Sequence, residues 1–172
     1  MIRIGEVRSV VLRTAAIAGV ALLLATPRLA AAQSAPAAQE DPLKLSASVP
    51  TMILIQIHAD KTSEFESAWG SIRAGLAKSA KDDEKSFGES IAKLYKVDQP
   101  PIEGKIVLYI LQIDSPSTAI SYNPFKIVYE TMWKNGAAEG SLLQRAEADA
   151  IYEKLKASFQ NINPPWKLHK IG

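Results

Sequence analysis

Hydrophobic and polar positions alternate along this chain in two different rhythms. From Thr51 to His58 the run TMILIQIH is apolar, rich in isoleucine and short enough for a strand rather than a helix. Period two puts Ile53, Ile55 and Ile57 on one side and Met52, Leu54, Gln56 and His58 on the other. The rhythm then lengthens. Thr62 or Ser63 stands where a helix cap is needed, Glu66 follows Ser63 at capping-box spacing, and Phe65, Trp69, Ile72 and Leu76 form a stripe at helical intervals.

After Ala77 the stretch KSAKDDEKSFGES mixes charges of both signs without a clear stripe, so it reads as a solvated loop. Two strand-like segments follow, Ile91 to Val97 and Lys105 to Ile113, joined by DQPPIEG, whose prolines and glycine make a turn. The second is apolar on both faces, with Ile106, Leu108 and Ile110 on one and Val107, Tyr109, Leu111 and Ile113 on the other. Such a strand is central and covered on both sides. Asn123 followed by Pro124 predicts a helix start, with Gly136 as its close. Ser141 predicts another, on which Ala148, Tyr152, Leu155 and Phe159 share a face. PPWKLHKI reads as a last short strand or extended tail.

Strand, helix, strand, strand, helical region, strand is the split βαβ order of a ferredoxin-like α+β fold, βαββαβ, with an antiparallel sheet and its helices on one face. The doubly apolar strands then pose a problem, because a sheet-sized apolar patch seldom stays exposed on a monomer. The simplest cover is a second copy, packed sheet to sheet at roughly 10 Å in a two-fold homodimer. The segment preceding Thr51 is the other option, but its composition suits that task poorly.

Composition changes the picture mainly at the N-terminus. Arg3, Arg8 and Arg13, the 12-residue apolar stretch from Thr14 to Ala25, Pro27 and then Ala30, Ala31 and Ala32 follow the order of a secretory signal peptide. The apolar part is too short for a membrane span, which needs roughly 20 residues. The expectation is cleavage after Ala32, a flexible leader over residues 33–50, one domain over 51–172, and an exported protein, periplasmic or secreted. Losing residues 1–32 lowers the basic count from 20 to 16 and the acidic count from 18 to 17, turning the formal charge from +2 to −1. That charge offers nothing to nucleic acid or to an anionic membrane. With no cysteine, there is no disulfide framework or thiolate metal site, and packing must hold the fold.

The stretches MILIQIHADKTSEFESAW and KIVLYILQID, an apolar strand, a polar turn and an F-x-x-x-W helix followed by a second apolar strand, resemble the dimeric α/β-barrel superfamily. That superfamily includes the antibiotic-biosynthesis-monooxygenase-like, stress-responsive barrel and haem-degrading groups. The resemblance follows the element order over residues 51–171, with SYNPFKIVYETMW as an addition to the compact pattern. It implies the ferredoxin-like fold and the homodimer. It carries over no catalytic residue.

If Ile53, Ile55 and Ile57 pack under the helices, Leu54, Gln56 and His58 face the dimer seam, where polar groups at the rim of an apolar chamber are how ligand pockets are furnished. Satisfied hydrogen bonds at a strand end would use Gln56 and His58 equally well. Tyr122 and Asn123 lie in a loop before a helix start, a place for ligand contacts and for plain capping alike. His58 and His169 are the whole histidine inventory. Neither has a ligand partner at metal-site spacing, and either as a haem axial ligand lacks a second supporting feature. No metal or other cofactor is expected. The absence of a Gly-rich phosphate loop, a nucleophile elbow and a cysteine disfavours nucleotide and thiol chemistry. The resulting expectation is a dimeric module that binds a small apolar ligand or a partner. The alternative is a cofactor-independent monooxygenase or isomerase of the barrel type, with His58 as base or hydrogen-bond donor.

Overall fold

A computed structural model describes residues 41–46, 49–136 and 139–171. The expected signal segment 1–32 and residues 33–40 of the expected leader lie outside these. The chain is α+β. Strand β1 (Thr51–His58) leads through a 3-10 turn into helix α1 (Thr62–Ala77), followed by α2 (Asp82–Ser90), β2 (Leu94–Lys96) and β3 (Ile106–Ile113). Next come a short helical turn, α3 (Pro124–Lys126), a π-helical turn (Ile127–Met132), α4 (Arg145–Ser158), β4 (Phe159–Ile162) and β5 (Trp166–Lys167). The sheet is antiparallel in the order β2-β3-β1-β4, with β5 also pairing with β1.

The alternation read in β1 is the alternation observed. Ile53, Ile55 and Ile57 are fully buried, while Met52, Leu54, Gln56 and His58 are half-buried on the opposite side. β3 repeats the pattern, with Val107, Tyr109, Leu111 and Ile113 in the core and Ile106, Leu108, Ile110 and Gln112 half-buried on the other face. Above the core face, Phe65 of α1 sits edge-on to Tyr109 at 4.8 Å and to Phe159 at 5.5 Å between ring centroids. α1 in turn packs against α2, the π-helical turn and α4, so these helices share one side of the sheet.

Four sequence readings change. Residues 82–90 form α2 rather than a loop: Asp82, Asp83 and Glu84 crowd its first turn, where they suit the helix dipole, and Phe87 turns inward onto Tyr122. Gly88 lets α2 approach α1 closely, since a Cβ there would meet the Leu76 Cβ at 2.9 Å. The capping box at Ser63 does not form, because Glu66 instead accepts hydrogen bonds from the Tyr109 hydroxyl at 2.5 Å and Lys96 at 3.2 Å. α4 begins at Arg145, where Gln144 and Glu147 form the capping box, because Ser141 gives its hydroxyl to the Trp133 carbonyl at 2.7 Å. Finally, Phe159 leaves the helix. Pairing beside Ile57 and an edge-on contact with Phe65 partly bury its ring, so the first strand of this edge is Phe159–Ile162, with Trp166–Lys167 completing it.

The end of the leader is also engaged. Leu43 and Leu45 are buried in the core cluster, and the Leu43 carbonyl accepts from the Tyr122 amide at 2.9 Å. The Asp41 carboxylate accepts from Ser121 Oγ at 2.6 Å and the Leu43 amide at 3.0 Å, and pairs with Lys126 at 3.0 Å. Residues 41–46 are therefore a strap on the helix side, held by two leucines that an absence of period had hidden. Burial disfavours the Asp41 carboxylate, but the hydrogen bonds from Ser121, Lys126 and Leu43 outweigh it and hold its pKa below the ordinary value. With the folded pKa depressed, this stabilisation is complete above the usual carboxylate range and is lost as pH falls through the folded value. Asp41→Asn is expected to destabilise the fold by about 2 kcal/mol at neutral pH. The gap between variant and parent should close as pH falls below the usual carboxylate range, which urea midpoints at neutral and strongly acid pH would show.

Candidate functional site

Pairing registers assemble the sheet face opposite the helices. Paired residues project to the same side, so Met52 stands beside Gln112 and Trp166, and Leu54 beside Ile110, which in turn pairs with Tyr95. Gln56 lies between Leu108 and Asn161, and His58 beside Ile106, whose other neighbour is Ile102. Asn163 joins them, its amide donating to the Leu54 carbonyl at 2.9 Å and its side-chain oxygen accepting from Gln56 Nε2 at 3.4 Å.

This face is apolar at its centre and on the β2 side, polar at one corner, and its paired strand positions carry no Lys, Arg, Asp or Glu. Tyr95, Ile102 and Trp166, exposed by 52%, 43% and 50%, all belong to it. They are three of the four most exposed large hydrophobic residues among the described ones. Met52, Leu54, Ile106, Leu108 and Ile110 take no part in the hydrophobic core. A surface of this kind is a candidate interaction site.

The structure thus brings Leu54, Gln56 and His58 together, and adds Asn161 and Asn163 to them. No hydrogen bond to the His58 ring forms among the described residues. Tyr122 and Asn123 lie elsewhere. The Tyr122 ring is 1% exposed on the helix side, where its hydroxyl accepts from the Ser117 amide at 2.8 Å and shares a hydrogen bond with Ser90. Asn123 caps α3, its side-chain oxygen accepting from the Phe125 amide at 3.0 Å. His169 is exposed beyond the last strand. Sequence reasoning missed Tyr95, Ile102 and Trp166 as partners of Leu54 and His58. Only the register of pairing carries that signal.

Other polar clusters have structural work. Glu84, nearly buried, accepts from Ser79 Oγ at 2.5 Å and pairs with Lys134 at 3.1 Å, tying α2 to the end of the π-helical turn. Burial first, and then Glu66, push the Tyr109 hydroxyl pKa up, so this tyrosine donates as a neutral group. A cavity of about 530 Å³ opens between α1 and α2 over Gly70, Ala74, Ala77 and Gly88, rimmed by the exposed Arg73, Lys85 and Glu89 and away from the sheet face. It holds no convergent buried polar group, so the face with its amides and imidazole is the better site. Among the described residues, no three His, Cys, Asp or Glu side chains are grouped to hold a metal ion. No described helix is long and apolar enough to cross a membrane. Comparison with protein-family models, with curated proteins and with solved structures finds no match.

Proposed function

We propose that this protein is an exported, homodimeric binding module of ferredoxin-like topology. In this reading two copies stack through the sheet faces described above, and the seam takes up a small apolar ligand. One observation carries it: a face without charged strand residues, apolar at the centre, holds Gln56, His58, Asn161 and Asn163 together at one corner. Apolar walls supply affinity for a ligand, and a few amides and an imidazole orient it. The strand order supports the ferredoxin-like assignment, and the Arg-rich, apolar, Ala-x-Ala start supports export.

Native mass spectrometry of the protein from its own host tests this reading. The expected result is a two-subunit mass with a retained small molecule. A monomer without an adduct overturns it.

The unpartnered His58 ring favours one second reading, a cofactor-independent oxygenase or isomerase in which this imidazole takes or donates a proton. His58→Ala separates the two. As a binding residue, its loss weakens ligand retention by about tenfold, equivalent to one hydrogen bond of about 1.4 kcal/mol, and leaves the dimer intact. As a base, its loss abolishes turnover with binding largely kept.

A further inference from the structure

Of the chain's four asparagines, Asn123 and Asn163 precede prolines and Asn161 precedes Ile162. Asn135 alone precedes a glycine, Gly136. That difference bears on a reaction of the chain with itself. A backbone nitrogen can attack the side-chain Cγ of the asparagine before it. Proline has no N–H to give up, a β-branched side chain crowds the approach, and glycine leaves it open. The N–Cγ bond forms, the Cγ–Nδ2 bond breaks, ammonia departs with the proton of the attacking nitrogen, and a cyclic imide remains. Water then opens the imide at either carbonyl, giving aspartate or an isoaspartyl link. Asn135 and Gly136 are both exposed, so the water is at hand.

The fold holds this pair away from that reaction. Ring closure needs the Gly136 nitrogen on the same side of the Asn135 Cα–C bond as Cβ. At the observed ψ of 31° the two are nearly opposite, so the peptide must turn by roughly half a revolution about an otherwise soft bond. Three successive residues, Lys134, Asn135 and Gly136, stand in the left-handed region, with φ of 52°, 52° and 84°. Glycine and asparagine enter it readily, and then as single residues. The contacts that hold the turn lie outside it. The Lys134 ammonium reaches the nearly buried Glu84 carboxylate of α2 at 3.1 Å and donates to the Gly140 carbonyl. The Gly136 amide donates to the Trp133 carbonyl at 3.1 Å, and Ser141 Oγ donates to the same oxygen at 2.7 Å.

We infer that Asn135 is a self-modification site gated by the Glu84–Lys134 pair. The chain converts it to aspartate or isoaspartate when the 134–136 turn opens, and the pair sets how often that happens. Conversion then follows the scheme of amide hydrogen exchange, a local opening followed by slower chemistry.

The purified protein and a synthetic peptide of residues 131–139, kept warm at mildly alkaline pH, would be sampled over time and mapped by mass spectrometry. The peptide should convert at its Asn-Gly bond, and the folded parent should convert at Asn135 more slowly by about tenfold or more. Lys134→Met keeps the aliphatic stem and removes the charge, while Glu84→Gln breaks the pair from the other side. Each, shown to be folded by circular dichroism, should raise the rate at Asn135 by about tenfold. Because either variant can fail to fold, hydrogen exchange at the Gly136 amide of the parent supplies a second reading. Its slowing relative to the peptide should match the slowing of conversion to within about a factor of ten. A folded parent that converts as fast as the peptide overturns the gate, and so do folded variants that keep the parent's rate. A mismatch between the two slowings beyond that margin overturns the shared opening.

Discussion

Replacing Leu108 by glutamate is expected to convert the proposed dimer to a monomer without unfolding the chain. Leu108 sits on the sheet face near its centre, half-buried beside Gln56 and outside the hydrophobic core. In a single copy a glutamate there reaches water, and its cost is that of a poor strand former, up to ~1 kcal/mol. In a sheet-on-sheet seam the same carboxylate is stripped of water without a cationic partner, at a cost of several kcal/mol. A penalty of ~3 kcal/mol raises the dimer Kd by more than a hundredfold. Sedimentation velocity at micromolar concentration reads the mass, and circular dichroism checks that the fold persists. A Leu108→Glu chain that keeps a two-subunit mass would show that the dimer, if present, uses another surface. Lys105→Glu, at an exposed position just before β3, serves as the charge control and should leave the mass unchanged.

The second large effect concerns the strap. Leu43 is 3% exposed and belongs to the same cluster as the β1 isoleucines. Leu43→Ala removes buried methyl groups and leaves a cavity, at a cost of about 3 kcal/mol. For a domain of this length that corresponds to a fall in Tm of roughly 10 °C. Lys44→Ala, one residue along and exposed, should change Tm by less than about 2 °C, in keeping with an ordinary surface site. Differential scanning calorimetry of the two variants is sufficient. If Leu43→Ala melts with the parent, residues 41–46 are an ornament on a domain that begins at Thr51, and the expectation of a leader extending to residue 50 stands.

Several elements were legible before any coordinates because short-range sterics and burial decide them. In β1, alternation assigned every residue from Met52 to His58 to its face, since a strand has a period of two wherever it sits. The Phe65, Trp69, Ile72, Leu76 stripe of α1 is equally local, and so is the Asn123 cap with Pro124 behind it. What misled was context. Mixed charge in residues 82–90 looked like a loop, yet three acids at a helix start and one inward Phe87 suffice for a helix once α1 offers a surface to pack on. Phe159 continued a helical stripe by spacing, but its ring is stabilised more by pairing beside Ile57 and by an edge-on contact with Phe65. Glu66 had the spacing for a capping box, and Tyr109, 43 positions away in sequence, claimed it instead.

The candidate site divides the same way. From the amino-acid sequence alone came the α+β class, the strand that carries Leu54, Gln56 and His58, and their separation from the isoleucine face, because these depend only on backbone geometry and side-chain type. Tertiary structure alone decided who stands beside them. Asn161, Asn163, Tyr95, Ile102 and Trp166 arrive through pairing registers set by turns and bulges many residues away, while Tyr122 and Asn123 were drawn to the helix side by burial and capping. Periodicity is a property of one segment, whereas a site is a property of several segments brought into register, and only the folded chain sets that register.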